Sequence, residues 1–181
     1  MSGNYAYISS TDDTQELQIV NISIPGVPSL AGSLDLGGTA DMNGIYAIGT
    51  TVYMIRNFNS TYHEFYMIDA STPVSPSVVS QTHLSNNTID VYVNGNYAYV
   101  ATIEDTRELR ILNITNPASP SYSGELDLTG TNNGRSITGK DNYVFLGRDP
   151  GGDVSVISVS NPASPSLLAP FTVGASNIEE L

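Results

Sequence analysis

The chain has 181 residues, 40% of them apolar and 13% charged, and its 18 Asp and Glu against 6 Lys and Arg give a formal net charge of −12. Such an acid excess repels nucleic acid and anionic membrane at long range, which removes both as expected partners. The absence of cysteine removes disulfides, thiolate metal sites and thiol nucleophiles together, and no run approaches the ~20 apolar residues that span a bilayer, so no membrane insertion is expected.

The first predicted element is the strand Asn4-Tyr5-Ala6-Tyr7-Ile8, with no basic or apolar stretch of signal-peptide length before it. It is the first of four copies, because Tyr7, Tyr53, Tyr99 and Phe145 stand 46 residues apart. Self-similarity at such a period marks solenoids, propellers and arrays. The second predicted element begins with an acid: Glu16-Leu17-Gln18-Ile19-Val20-Asn21-Ile22, repeated from Glu64, Glu108 and Asp153. Alternation places Leu17 and Ile19 on one face, with Phe65 and Met67, Leu109 and Ile111, and Val154 and Val156 as their counterparts, so these eight are the expected core. An acid that recurs in every copy is expected to make a structural contact to backbone or to a hydroxyl.

Each acid-led strand runs into a proline pair: Pro25 and Pro28, Pro73 and Pro76, Pro117 and Pro120, Pro162 and Pro165. Proline donates nothing to a ladder and fixes its own φ, so these segments are predicted to be rigid connections to an antiparallel strand such as Tyr122–Leu128. The short strands Gly44–Ile48 and Ile89–Val93, turning at Gly49 and Gly95, complete the period. Four antiparallel strands in a period of this length describe one propeller blade.

The runs Glu108-Leu109-Arg110-Ile111-Leu112-Asn113-Ile114 and Thr115-Asn116-Pro117-Ala118-Ser119-Pro120-Ser121, with Ser160-Asn161-Pro162-Ala163-Ser164-Pro165-Ser166, resemble LVIVD repeats. The resemblance spans essentially the whole chain, with departures in the first two connectors. It implies an all-β propeller of a bacterial or archaeal surface protein, a scaffold for adhesion or interaction with no catalytic residues to transfer.

The predicted blades are 3–43 completed by 177–181, then 44–88, 89–133 and 134–176, so the carboxy-terminal segment is expected to supply the first strand of the first blade. Two assemblies satisfy this arithmetic: a four-bladed monomer, which is favoured, or a homodimer completing a larger ring.

Ligands are expected on the face where the loops between second and third strands and between blades open. The candidate ligand-binding residues there are Arg56, His63, Arg135, Arg148, Asp41 and Asp90. Arg56 and Arg148 occupy matching places in the second and fourth blades and suit a carboxylate or sulfate held bidentately; the competing and favoured reading pairs each with a nearby acid such as Asp149. His63 and His83 fall at unrelated points of their repeats, which points to loop surface rather than zinc. The loops Asp12-Asp13-Thr14 and Glu104-Asp105-Thr106 read as turn chemistry rather than calcium ligands. Of four sequons, Asn21 and Asn113 stand where the fold asks for a short hydrogen-bonding side chain, leaving Asn59 and Asn86 for glycosylation.

No cofactor and no catalytic residue is expected. The expected function is a noncatalytic binding or scaffold module of a secreted or cell-surface protein, with a protein or glycan partner. The alternatives are a lactonase- or hydrolase-type propeller enzyme, and an excised or engineered fragment with no function beyond folding or self-assembly.

Overall fold

The computed structural model describes residues 2–174, 178 and 181. Among them there is no α-helix, and the chain divides into two compact units, Met1–Ser85 and Asn86–Leu181. Each unit contains two antiparallel sheets.

In the first unit, β1 (Tyr5–Ser9), β2 (Leu17–Asn21) and β3 (Ser29–Leu34) form a three-stranded sheet, and β4 (Met42–Ile48), β5 (Thr51–Arg56), β6 (Phe65–Asp69) and β7 (Ser77–Thr82) form a four-stranded one, each in chain order. In the second unit, β8 (Thr88–Asn94), β9 (Tyr97–Thr102), β10 (Leu109–Asn113) and β11 (Ser121–Leu126) make one sheet, and β12 (Asn133–Lys140), β13 (Tyr143–Asp149), β14 (Asp153–Ser158) and β15 (Ser166–Thr172) the other.

Register repeats as faithfully as sequence. Tyr7, Tyr53, Tyr99 and Phe145 stand opposite Ile19, Met67, Ile111 and Val156. Every outer pairing is bulged one residue beyond that position, with Ala31, Val79, Ser123 and Leu168 the extra residues. Each proline connector is a turn closed by an i+3 bond with proline at its second position, as in Val27 N–H to the Ile24 carbonyl (2.9 Å) and Ser119 N–H to the Asn116 carbonyl (3.0 Å). Asn21, Asp69 and Asn113 accept from the backbone two residues on, at 2.8 to 2.9 Å, which is what a short polar side chain at that strand end does for the fold.

The two sheets of each unit pack face to face. Leu17 and Ile19 meet Val52, Met54, Tyr66 and Ile68 in the first unit; Tyr99, Leu109 and Ile111 meet Val144, Leu146 and Ile157 in the second. Burial of each such side chain stabilises by about 1.5–3 kcal/mol. Seven of the eight expected core residues are buried, and Val156 is the exception. It is half-buried with its cross-strand partner Phe145, because within its unit that face of the sheet looks away from the β8–β11 sheet while Val144 and Ile157 face it.

Close approach is achieved by glycine. A Cβ on Gly32 would stand 2.2 Å from the Pro73 carbonyl oxygen, and one on Gly124 2.3 Å from that of Pro162, so the outer strand of one sheet lies directly on the proline connector of the next.

The first sheet has three strands among the described residues, preceded by a turn in which Ser2 and Tyr5 exchange both backbone hydrogen bonds (3.0 and 3.1 Å) around Gly3, φ +56°. Gly49, Gly95 and Asp141 hold the same left-handed position in the β4–β5, β8–β9 and β12–β13 turns. The strand expected from 177–181 lies outside the described residues except for Ile178 and Leu181.

Candidate functional site

The recurring acids tie each sheet to the loop that leaves it. Glu16, Glu64 and Glu108 are 0–2% exposed, and their Oε2 atoms accept from the backbone N–H of Leu36, Leu84 and Leu128, twenty residues on, at 2.9, 2.6 and 2.8 Å. Asp153, one carbon shorter, accepts instead from the Thr172 hydroxyl at 2.6 Å. Burying a carboxylate is costly unless it is hydrogen-bonded or paired, and in Glu108 the second oxygen has no hydrogen bond among the described residues but faces Arg148 at 3.8 Å. In Glu108 burial pushes the carboxyl above its usual range, opposed by the Leu128 N–H and by Arg148.

The matching arginines hold the same loops from the other side. Arg56, fully buried, donates from Nη1 to the Gly37 carbonyl (2.6 Å) and from Nε to the His63 carbonyl (2.9 Å), and its guanidinium lies 5.0 Å from the ring centres of both Tyr62 and Tyr66. Arg148 donates from Nη2 to the carbonyls of Leu128, Thr129 and Asn132 at 3.1 to 3.3 Å, with Glu108 Oε1 at 3.8 Å. The acid beside Arg148 is therefore Glu108 rather than Asp149. Neighbouring residues on a strand point to opposite faces, and Asp149 pairs with Arg135 at 2.9 Å instead.

Arg135 is the extra residue of a bulge between β12 and β13, and its bond to Asp149 repeats the Asn43–Asn57 bond of the first unit, 2.8 Å. Asp90 joins two sheets: Oδ1 accepts from Val91 N–H and Oδ2 from Ile137 N–H, both at 2.8 Å. Asp41 is exposed and takes part through its backbone carbonyl, which accepts from Asn57 N–H. Asp12 accepts from both the backbone and the hydroxyl of Thr14, which depresses its carboxyl, and Glu104 is engaged by Arg107 and Asn86.

His63 and His83, distant in their repeats, come together. Their ring centres are 5.9 Å apart, and Phe58 stands 5.8 Å beyond His83, so three rings form a ladder over the β5–β6 and β7–β8 loops. Tyr62, next to His63 in the chain, packs its ring on Gly37 and Gly38, where a Cβ on Gly38 would stand 2.8 Å from it. Beneath the ladder, Glu64 Oε2 accepts from Leu84 and Ser85 N–H, and His83 Nδ1 stands 3.0 Å from the same oxygen. Phe58 is 44% and Tyr62 37% exposed. The sequence signal for His83 was available: nineteen residues after the acid, the first and third blades carry Asp35 and Asp127, so a histidine there is peculiar to the second blade. Among the described residues no three His, Asp or Glu converge to hold a metal.

A family model described as the LVIVD repeat matches residues 1–36, 86–127 and 133–173. An uncharacterized protein of Methanocaldococcus jannaschii is 23% identical over 127 residues, 69% of this chain and 20% of that one. Among solved structures, the β-propeller domain of Cps50 (Swd1) from Myceliophteria thermophila superposes with a TM-score of 0.69 at 12% identity, over 98% of this chain and 59% of that one. The periplasmic gluconolactonase PpgL of Pseudomonas aeruginosa gives 0.72 at 6% identity, over 96% and 55%. The chain thus spans a fifth of the curated relative and a little over half of these structures, and at such identities the likeness is one of fold, the β-propeller. The longest stretch outside the family model, 37–85, bears the ring ladder. With matching segments over more than half its length and blades that repeat in register, this chain belongs to the LVIVD repeat family.

Proposed function

We propose that this chain is a noncatalytic binding or scaffold module of a secreted or cell-surface protein, holding a protein or glycan partner on the loop end of its second blade. The observation that carries this reading is the surface of Phe58, Tyr62, His63 and His83, present once in a chain whose other features repeat. The corresponding loops of the other blades are built from Asp12-Asp13-Thr14, Glu104-Asp105-Thr106 and Pro150-Gly151-Gly152, with no aromatic ring. Exposed aromatic clusters are the commonest anchors of recognition surfaces. A general base must reach the proton it takes, whereas Glu64 is fully buried, with Oε2 accepting from Leu84 and Ser85 N–H and Oε1 facing Asn59 N–H at 3.5 Å. A lysine-poor, acidic composition rich in Asn, Ser and Thr fits an extracellular setting.

The test screens labelled protein against immobilised glycans and cell-envelope proteins beside the double variant Phe58→Ser and Tyr62→Ser. Retention by the unmodified chain and its loss in the variant are expected. Retention indifferent to both substitutions removes the loop surface from the account, and turnover of lactone substrates removes the noncatalytic reading.

A further inference from the structure

Each unit has a cleft at the opposite end of its strands from the loops, between its two sheets. In the first unit it has a volume of about 340 Å³ and is lined by Asn4, Tyr5, Tyr7, Thr50, Ser71 and Pro73 among others. In the second it has about 390 Å³, and the corresponding places are taken by Asn96, Tyr97, Tyr99, Asn142, Ser160 and Pro162. Both volumes fall in the lower range of small-molecule sites.

The walls are fixed before any ligand arrives. The carbonyls of Asn4 and Thr50 accept from Ile22 and Ala70, and those of Asn96 and Asn142 from Ile114 and Val159, at 2.8 to 2.9 Å, so the turn backbones are held while the side chains line the opening. Pro73 and Pro162 are locked by the glycine contacts of the preceding sheet. Tyr5 and Tyr97 are each half-buried and contribute to the wall.

The lining dictates the ligand. An aromatic wall offers a face for C–H groups, and amide and hydroxyl side chains offer paired donors and acceptors for vicinal hydroxyls. No cationic side chain lines either cleft; the first has no charged lining residue and the second only Asp141. In a chain of net charge −12, anionic ligands are disfavoured. We infer that the two clefts are a duplicated site for a neutral saccharide ring, one per unit, distinct from the loop surface.

Titration calorimetry of the full chain against neutral monosaccharides and disaccharides, up to about 10 mM so that a millimolar Kd is seen, tests this. Saturable binding at two equivalents per chain is expected. Ser71→Phe and Ser160→Phe, which project a ring into one cleft each from exposed positions, should each halve the stoichiometry, and the double variant should abolish binding. In the unmodified protein, NMR shifts should be confined to Tyr5, Tyr97 and their neighbours, a readout independent of how the variants fold. No binding across the panel, or NMR shifts elsewhere in the chain, overturns the inference, as does binding that survives in a folded double variant.

Discussion

Replacing Glu108 by alanine removes a fully buried acceptor of the Leu128 N–H and, among the described residues, the carboxylate that pairs with Arg148. A buried donor left without a partner costs about 1–3 kcal/mol. Loss of a buried counter-charge costs about 3–5 kcal/mol when the pair is close, but here the separation is 3.8 Å and Arg148 keeps its carbonyl partners, so about 1–2 kcal/mol is the appropriate share. The expected total is about 2–5 kcal/mol, read as a drop in urea midpoint at constant slope. Glu108→Gln keeps shape and an acceptor and should cost about 1 kcal/mol at neutral pH. Its pH dependence has a definite sign. Because the folded carboxyl sits above its unfolded value, its stabilising contribution is complete below the unfolded pKa and falls as pH rises through the folded one. The glutamine variant lacks that fall, so its penalty should be smaller at pH 7 than at pH 4. An alanine variant within about 0.5 kcal/mol of the parent, the range of an inert surface change, or the opposite pH trend, would refute the reasoning.

Gly32→Ala and Gly124→Ala force a methyl against a carbonyl and should each destabilise by about 1–3 kcal/mol, whereas Gly26→Ala, with nothing within 4 Å, should be near neutral in the same urea titration. Arg135→Ala breaks a partly exposed pair and should cost no more than about 1 kcal/mol, against a clearly larger loss for Arg148→Ala in urea unfolding. Tyr99, pushed up to about 12 by burial and by Tyr92 and Tyr97, should ionise in the last phase of a phenolate absorbance titration, and Tyr99→Phe should delete that phase.

What recurs was legible in the sequence. The aromatic strand, the acid, the proline turn and the Asn or Asp strand end appear three or four times at matching places, and repetition separates a fold requirement from an accident. What occurs once was legible only in part: His83 stood out against Asp35 and Asp127, but its partners did not. Phe58 and His63 lie before β6 and His83 after β7, so their ring ladder exists only once the sheet is paired and its loops folded back. Arg56 and Arg148 were recognisable as equivalent, but their partners are mainly carbonyl oxygens, which every residue carries and no side-chain pattern announces. The two clefts left the same kind of trace: their residues were visible as turns and strand starts, and only the packing of neighbouring sheets turns them into an opening.

Each buried glutamate anchors the loop leaving its blade through the backbone N–H twenty residues on. Native-state hydrogen exchange at the amides of Leu36, Leu84 and Leu128 tests it most directly, since all three lie beyond the ends of β3, β7 and β11. Protection close to that of strand amides is expected at all three, with Glu108→Ala stripping it from Leu128. Exchange at the rate of exposed loop amides in the unmodified chain would contradict it.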